Sequence, residues 1–235
     1  TPDVTPTDLF LINEVDRNNV LLDTFKAIAQ LKNPDLELKK PLKVLFKDEP
    51  GVDEGGVQRE FFQLIVEELL DKERDFFIPK NDIYWFSTSS TDPAALQAYY
   101  LTGIILGLAI FNGNLLNVRF PTVMYKKLRG VTVTFDDLKS FDNQLYITLQ
   151  NILNYDGDVE NDMGLMFEYN GIPLKENGDK IPVTNGNRRE YVDAVTNYLL
   201  VDSVSNQFEK LRIGFLQSAG DIVLDLFRPE ELGLL

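Results

Sequence analysis

The sequence predicts a mostly α-helical α+β fold. Three observations carry this expectation. Residues 94–112 are nearly all apolar over a helical length. Segments 57–70 and 145–155 repeat apolar residues at helical spacing. Strand signals are short, as in the alternating Leu42-Val44-Phe46 face and the Tyr84-Trp85-Phe86 run.

Leu9 to Val15 alternates loosely and predicts a strand. A helix over about 18–31 follows, capped by Asp16 or Asn18, with Val20, Leu21, Phe25, Ile28 and Leu31 at helical spacing. Pro41 introduces the strand Leu42–Phe46. Three glycines and two acids, Gly51-Val-Asp-Glu-Gly-Gly56, form a loop before the helix 57–70. That helix has a wide stripe of Phe61, Phe62, Ile65, Val66, Leu69 and Leu70. Residues 75–86 read as a hairpin around Pro79-Lys80-Asn81-Asp82. The apolar helix 94–112 should be central. Pro121 starts a helix over 122–128 that Gly130 closes.

From Thr132 the character changes. Phe135-Asp136-Asp137-Leu138 reads as an acidic helix start, and 145–155 as an amphipathic helix. Leu165–Tyr169 reads as a strand, with Pro173-Leu174 extending it or beside it. Asn177-Gly178 reads as a hairpin turn. Thr184 or Asn185 caps a helix over 188–200, and a last helix over 204–218 carries Phe208, Leu211 and Phe215. A short acidic piece, Arg228-Pro229-Glu230-Glu231-Leu232, ends the segment.

Composition narrows the chemistry. Net charge is −14 and the isoelectric point about 4.4. Lysines and arginines are scattered among more numerous acids, so neither nucleic acid nor an anionic membrane is an expected partner. A basic protein partner fits better. The chain has no cysteine and no histidine. Within it there can be no disulfide, thiolate ligand, cysteine nucleophile or histidine acid–base pair. The longest apolar stretch, Leu101–Phe111, is broken by Gly103 and Gly107 and falls short of the roughly 20 residues that span a bilayer. Residues 1–8 are polar and acidic, unlike a signal peptide.

Motif candidates are weak when taken singly. The glycine loop lacks the lysine of a phosphate loop, and Asp53 and Glu54 would repel phosphate. It reads as a turn with Gly55 or Gly56 at positive φ and an acid near the helix N-terminus. Asp156-Gly-Asp158-Val-Glu160-Asn-Asp162 suggests a calcium loop. Neither register puts Gly at position six or Glu at position twelve, so it reads as a solvated acidic turn. No metal site, cofactor or catalytic residue is therefore expected. Carboxylate pairs carry no signal among 37 acids. Arg59-Glu60 and Arg188-Arg189-Glu190 read as surface or structural ion pairs. The apolar stripe Leu145, Leu149, Ile152 and Tyr155, followed by Leu165 and Phe167, is wider than a small core needs. It reads either as core or as a groove for a partner's apolar side chain.

Taken together, these motifs resemble the N-terminal lobe of HECT-type ubiquitin ligases, most closely the E6-associated-protein branch. The resemblance rests on Gly51-Val-Asp-Glu-Gly-Gly-Val57 with Glu60-Phe61-Phe62, on Tyr84-Trp85-Phe86, and on GIILGLAIFN over 103–112. Phe120-Pro121 with Tyr125-Lys126-Lys127-Leu128 follows, then LKENGDKIPVT over 174–184. Asn187-Arg188 with Glu190-Tyr191-Val192, Phe208 with Gly214-Phe215, and Phe227-Arg-Pro-Glu-Glu-Leu232 complete it. The order of these motifs, covering about 9–235, is specific where each alone is not.

The resemblance implies a large helical subdomain over 1–131, a smaller α/β subdomain over 132–203 that docks the ubiquitin-conjugating enzyme (E2), and a return to the large subdomain over 204–235. Carried over position by position, the E2-docking groove is Leu145, Leu149, Ile152, Tyr155, Leu165 and Tyr191. Tyr191 adds a hydroxyl that needs a partner. The family's ubiquitin-accepting cysteine lies in a C-lobe that would begin near Leu235, so this chain should bind E2 without turnover. Protein substrates would be chosen by regions outside it, in a cytoplasmic or nuclear setting. The rival expectations are a HECT-like scaffold that does not bind E2 and, further off, a nucleotide enzyme built on the glycine loop.

Overall fold

The computed structural model describes residues 9–49, 55–220 and Leu224. Pro50 to Glu54, with the two acids of the glycine loop, and the 228–232 piece lie outside the described residues. The fold is α+β and mostly helical, with three two-stranded sheets among the described residues. The chain divides into two compact units, residues 1–120 with 206–235, and residues 121–205.

The first unit is built on a parallel pair, β1 (Leu11–Val15) and β2 (Leu42–Phe46), registered Leu11↔Leu42 through Val15↔Phe46. Parallel strands need a crossover, supplied here by α1 (Val20–Ala29) and the short α2 (Pro34–Glu37). Alternate residues of both strands face inward. They join Phe61, Phe62 and Ile65 of α3 (Gly56–Leu69) in one apolar core. Gly55 takes φ 86° immediately before α3, a left-handed entry that glycine tolerates. Arg17 closes the outside of this corner, donating to Glu49 at 2.5 Å and to Glu60 at 2.5 Å. The hairpin β3 (Phe77–Lys80) and β4 (Ile83–Phe86) pairs Phe77 with Phe86. Its aromatic side chains cluster around Tyr99, with Phe77 edge-on at 5.3 Å.

α4 (Pro93–Phe111) is capped by Asp92, whose carboxylate accepts the Ala94 and Ala95 N–H groups. Read from Leu101 to Phe111 and broken by two glycines, this stretch looked too short to span a bilayer. As a helix it has 19 residues and is apolar enough to cross one by length and composition. It is also 67% buried inside the structure, as the core helix of a folded unit would be. Its glycines allow backbone contact with α10 (Ser205–Ala219). A Cβ on Gly103 would lie 1.9 Å from the Leu211 carbonyl oxygen, and one on Gly214 would lie 2.0 Å from that of Tyr100.

The second unit begins with α5 (Thr122–Leu128), which Gly130 ends at φ 68°. This helix, expected in the first part, groups instead with residues 121–205. Lys126 reaches Asp137 at 2.7 Å, and Lys127 donates to the Leu200 carbonyl at 2.6 Å. α6 (Leu138–Phe141) leads to α7 (Asn143–Asn154) and the short α8 (Val159–Met163). The expected strand over 165–169 shrinks to β5 (Glu168–Tyr169), paired with β6 (Ile172–Pro173). The hairpin turn is Asn170-Gly171, not Asn177-Gly178: Asn170 at φ 50° and Gly171 at φ 78° give the two left-handed residues a tight turn requires. Asn177 is also left-handed, but it opens a 3₁₀ turn over Gly178–Lys180. α9 (Arg188–Leu200) completes the unit.

Two stability predictions follow from this packing. An alanine in a helix interior ordinarily gains about 1 kcal/mol over glycine. Gly103→Ala should instead lose about 3 kcal/mol, because its methyl meets backbone rather than a movable side chain. Urea unfolding reads the sign, and a stabilised variant would refute the close contact. The second concerns Lys127, whose ammonium burial pushes down to about 8 against a smaller opposing pull from Asp202. The unfolded chain then binds more protons between about pH 8 and 10.5, so this group adds stability as pH rises through that window. The wild-type advantage over Lys127→Met should grow by roughly 3 kcal/mol between those limits. A pH-independent difference would mean that the ammonium is solvated.

Candidate protein-docking site

α7 starts where Asp142 accepts the Leu145 N–H at 2.9 Å, an N-cap that satisfies one of the helix's free donors. Its buried residues are Tyr146, Leu149 and Ile152. Tyr146 stacks on Phe135 with ring centroids 4.6 Å apart, which fixes one face of the helix inward. Leu145 is half-buried at the edge of that face, and Ile147 is exposed.

The far end of α7 is closed from α9. The Arg188 guanidinium donates to the Tyr155 carbonyl at 2.5 Å and to the Ile152 carbonyl at 3.3 Å. A cation on the last carbonyls of a helix satisfies orphan acceptors and opposes the negative end of the dipole. Arg188 therefore differs from the ion pairs expected for its stretch: Arg189 pairs with Asp193 and Glu190 with Lys175, whereas Arg188 holds backbone.

Tyr155 leaves the helix in an extended conformation and is half-buried. Its hydroxyl donates to Asp162 Oδ2 at 2.9 Å, and this bond chiefly holds the phenol's pKa above its ordinary value. The ring passes over Gly157, where a Cβ would lie 2.6 Å from Tyr155 Cε1. The intervening turn is tied down on both sides. Asp158 caps α8, accepting from Asn161, and those bonds lower its pKa. Asn185 accepts the Val159 N–H at 3.0 Å and donates to the Gly157 carbonyl at 2.8 Å. The segment expected to be a solvated acidic turn exposes its acids as expected, but it holds a capped helix in which Asp158 and Asp162 bind backbone and Tyr155. Among the described residues no group of three or more acids could hold a metal ion.

The third wall comes from 165–191. The Leu165 carbonyl accepts the Val183 N–H at 2.8 Å, and Phe167 N–H donates to Ile181. Phe167 is fully buried and meets the Tyr191 ring edge-on at 5.5 Å. The Tyr191 hydroxyl finds its partner in the Glu168 carbonyl at 3.4 Å. Burial raises its pKa, so it is neutral in the folded protein. Gly178 lies against this strand, with room for no Cβ: one would be 2.3 Å from the Phe167 carbonyl oxygen.

The six expected groove residues therefore fall into two sets. Leu149, Ile152 and Tyr191 are buried, at 2%, 7% and 6% exposure. Leu145, Tyr155 and Leu165 are half-buried and reach the surface. Arg188 joins Ile152 to Tyr155, Phe167 and Glu168 contact Tyr191, and Leu145 stands at the opposite end of α7. Sequence reasoning assigned Tyr146, Gly157, Asp162, Asn185 and Arg188 no part in this site. The turn did carry one signal, since Asp158 three residues before Asn161 has the spacing of a helix cap. Nothing in the local pattern marks an arginine that binds carbonyls 33 and 36 residues away.

Comparison with known proteins shows the family. A family profile described as HECT-domain (ubiquitin-transferase) matches residues 63–235. The human protein named probable E3 ubiquitin-protein ligase HERC3 is 38% identical over 95% of this chain and 22% of its own length. The mouse protein named probable E3 ubiquitin-protein ligase HECTD2 is 35% identical over 97% of this chain and 32% of its own length. The Schizosaccharomyces pombe protein named probable E3 ubiquitin-protein ligase mug30 is 33% identical over 96% of this chain and 29% of its own length. The chain thus spans less than a third of the length of each of these relatives. The profile runs across both compact units, including the whole of the one that contains α7 and α9, and on that extent of agreement the chain belongs to the HECT-domain ubiquitin transferases.

Proposed function

We propose that residues 121–205 dock an E2 ubiquitin-conjugating enzyme along a groove of Leu145, Leu149, Ile152, Tyr155, Leu165 and Tyr191, with an apolar side chain of the E2 seated in it. The observation that carries this reading is the split of the stripe on α7. Its buried members build the unit, and the flanking apolar side chains are left half-exposed on a rigid element of a ubiquitin-transferase family member. Interfaces concentrate their energy in such aromatic and aliphatic anchors. The net charge of −14 adds long-range attraction for a basic partner surface.

The chain contains no thiol. A ubiquitin thioester needs one, so in this reading ubiquitin passes from the docked E2 to a cysteine in a C-lobe of the same protein, and then to a substrate lysine. Substrate selection lies in regions other than these 235 residues. The order of the sequence motifs keeps the E6-associated-protein branch as the finer assignment, with action in the cytoplasm or nucleus.

The test separates docking from folding. Leu149→Ala is unsuitable by itself: truncating a buried leucine costs about 2–5 kcal/mol of stability and would weaken any binding indirectly. Tyr155→Ala and Leu145→Ala change half-exposed groups. In a titration with an E2 that charges HECT ligases, Tyr155→Ala should weaken binding about tenfold or more while the melting temperature stays close to wild type. The E2 should also raise the melting temperature of the wild-type chain. No binding, or binding indifferent to Tyr155, would favour the rival reading of a HECT-like scaffold without E2 affinity.

A further inference from the structure

We infer that Gly157 and Asp162 are positioning residues for Tyr155: the glycine leaves open the space the ring occupies, and the carboxylate takes its hydroxyl, so that the aromatic face is presented in one orientation before a partner arrives. The inference rests on the E2-docking reading and adds to it the residues that set the geometry of the anchor.

Three independent observations converge on the ring. First, Asp162 Oδ2 accepts both the Tyr155 hydroxyl at 2.9 Å and the Asp158 N–H at 3.0 Å. The acceptor is therefore itself fixed by backbone. Second, the Gly157 backbone does not need glycine for its φ, which is not among the positive values of this chain. What needs glycine is space, since an added Cβ would come within 2.7 Å of both Tyr155 Cζ and Asp162 Oδ2. These are side-chain ends, so an alanine would push the ring and carboxylate aside and leave the backbone where it is. Third, both flanks of the turn are anchored to the start of α9. Asn185 binds Gly157 and Val159, and Arg188 binds the Tyr155 carbonyl. With the backbone held at both ends, the remaining freedom of Tyr155 is rotation of its side chain, and the carboxylate removes it by holding the ring in the space the glycine leaves open. A site whose competent orientation is only fractionally populated binds more weakly by that fraction. The acids of this turn thus set the orientation of a neutral aromatic ring.

The experiment uses the 235-residue chain and the same E2, with affinity, melting temperature and the tyrosine ring NMR signals measured for each variant. Gly157→Ala should weaken binding about 3- to 10-fold with a melting temperature near wild type and a shifted Tyr155 ring signal in the free protein. Asp162→Ala and Tyr155→Phe should each weaken it by a similar factor, and Asp162→Asn, which keeps an acceptor, should restore most of the loss. The double variant Tyr155→Phe/Asp162→Ala should be no weaker than Asp162→Ala alone, because the tyrosine–carboxylate bond is then already gone. If Tyr155→Ala weakens binding but Gly157→Ala and Asp162→Ala do not, or if the double variant is fully additive, the positioning role is wrong and the docking reading stands. If wild type does not bind, or Tyr155→Ala binds as wild type does, the docking reading itself fails.

Discussion

An apolar stripe on α7 has to serve two purposes, and the second unit is arranged around that constraint. A unit of about 85 residues buries a small core, so it can spare few large side chains. Tyr146, Leu149 and Ile152 are committed to that core. Leu145 and Tyr155, flanking this line, remain partly accessible, as does Leu165 from the following segment. Whatever binds here meets a rim on a packed floor. The floor cannot be altered without altering stability, which is why anchor residues and core residues must be probed by different substitutions.

Holding the rim in place requires the polar atoms at the end of α7 to be satisfied. A helix leaves its last carbonyls without partners. Arg188 supplies them, and in doing so it joins the end of α7 to the start of α9, three residues before Tyr191. Asn185 does the same for the following turn. The aromatic residue is thus placed by backbone hydrogen bonds on both sides. Its own side chain then needs only one further contact, which Asp162 provides.

Much of the fold was legible in the sequence, because its signals are local. The alternation of Leu42, Val44 and Phe46 reappears as β2. Pro121 and Gly130 bracket α5, and the apolar run became α4. Of the chain's four Asn-Gly pairs, Asn170-Gly171 and not Asn177-Gly178 makes the hairpin turn; the dipeptide alone could not show which one lies between pairing strands. The six groove positions, carried over by resemblance, all fall in one unit, but the sequence did not show that half of them are buried. Periodicity tells which residues share a face, whereas burial depends on what that face meets.

Glycine gives the clearest case of what local pattern leaves out. Gly55, Gly130 and Gly171 hold backbone angles that favour glycine, and turn chemistry accounts for them. Gly103, Gly178 and Gly214 have ordinary angles and are glycine because another backbone occupies the place of a side chain. Gly157 differs again, since what fills its space is the ring of Tyr155. A methyl at Gly103 opposes a rigid helix and must disturb the fold. A methyl at Gly157 opposes a ring that can turn, so its cost falls on the orientation of one side chain. The same residue type therefore guards stability in the first unit and, on the docking proposal, the readiness of a binding surface in the second.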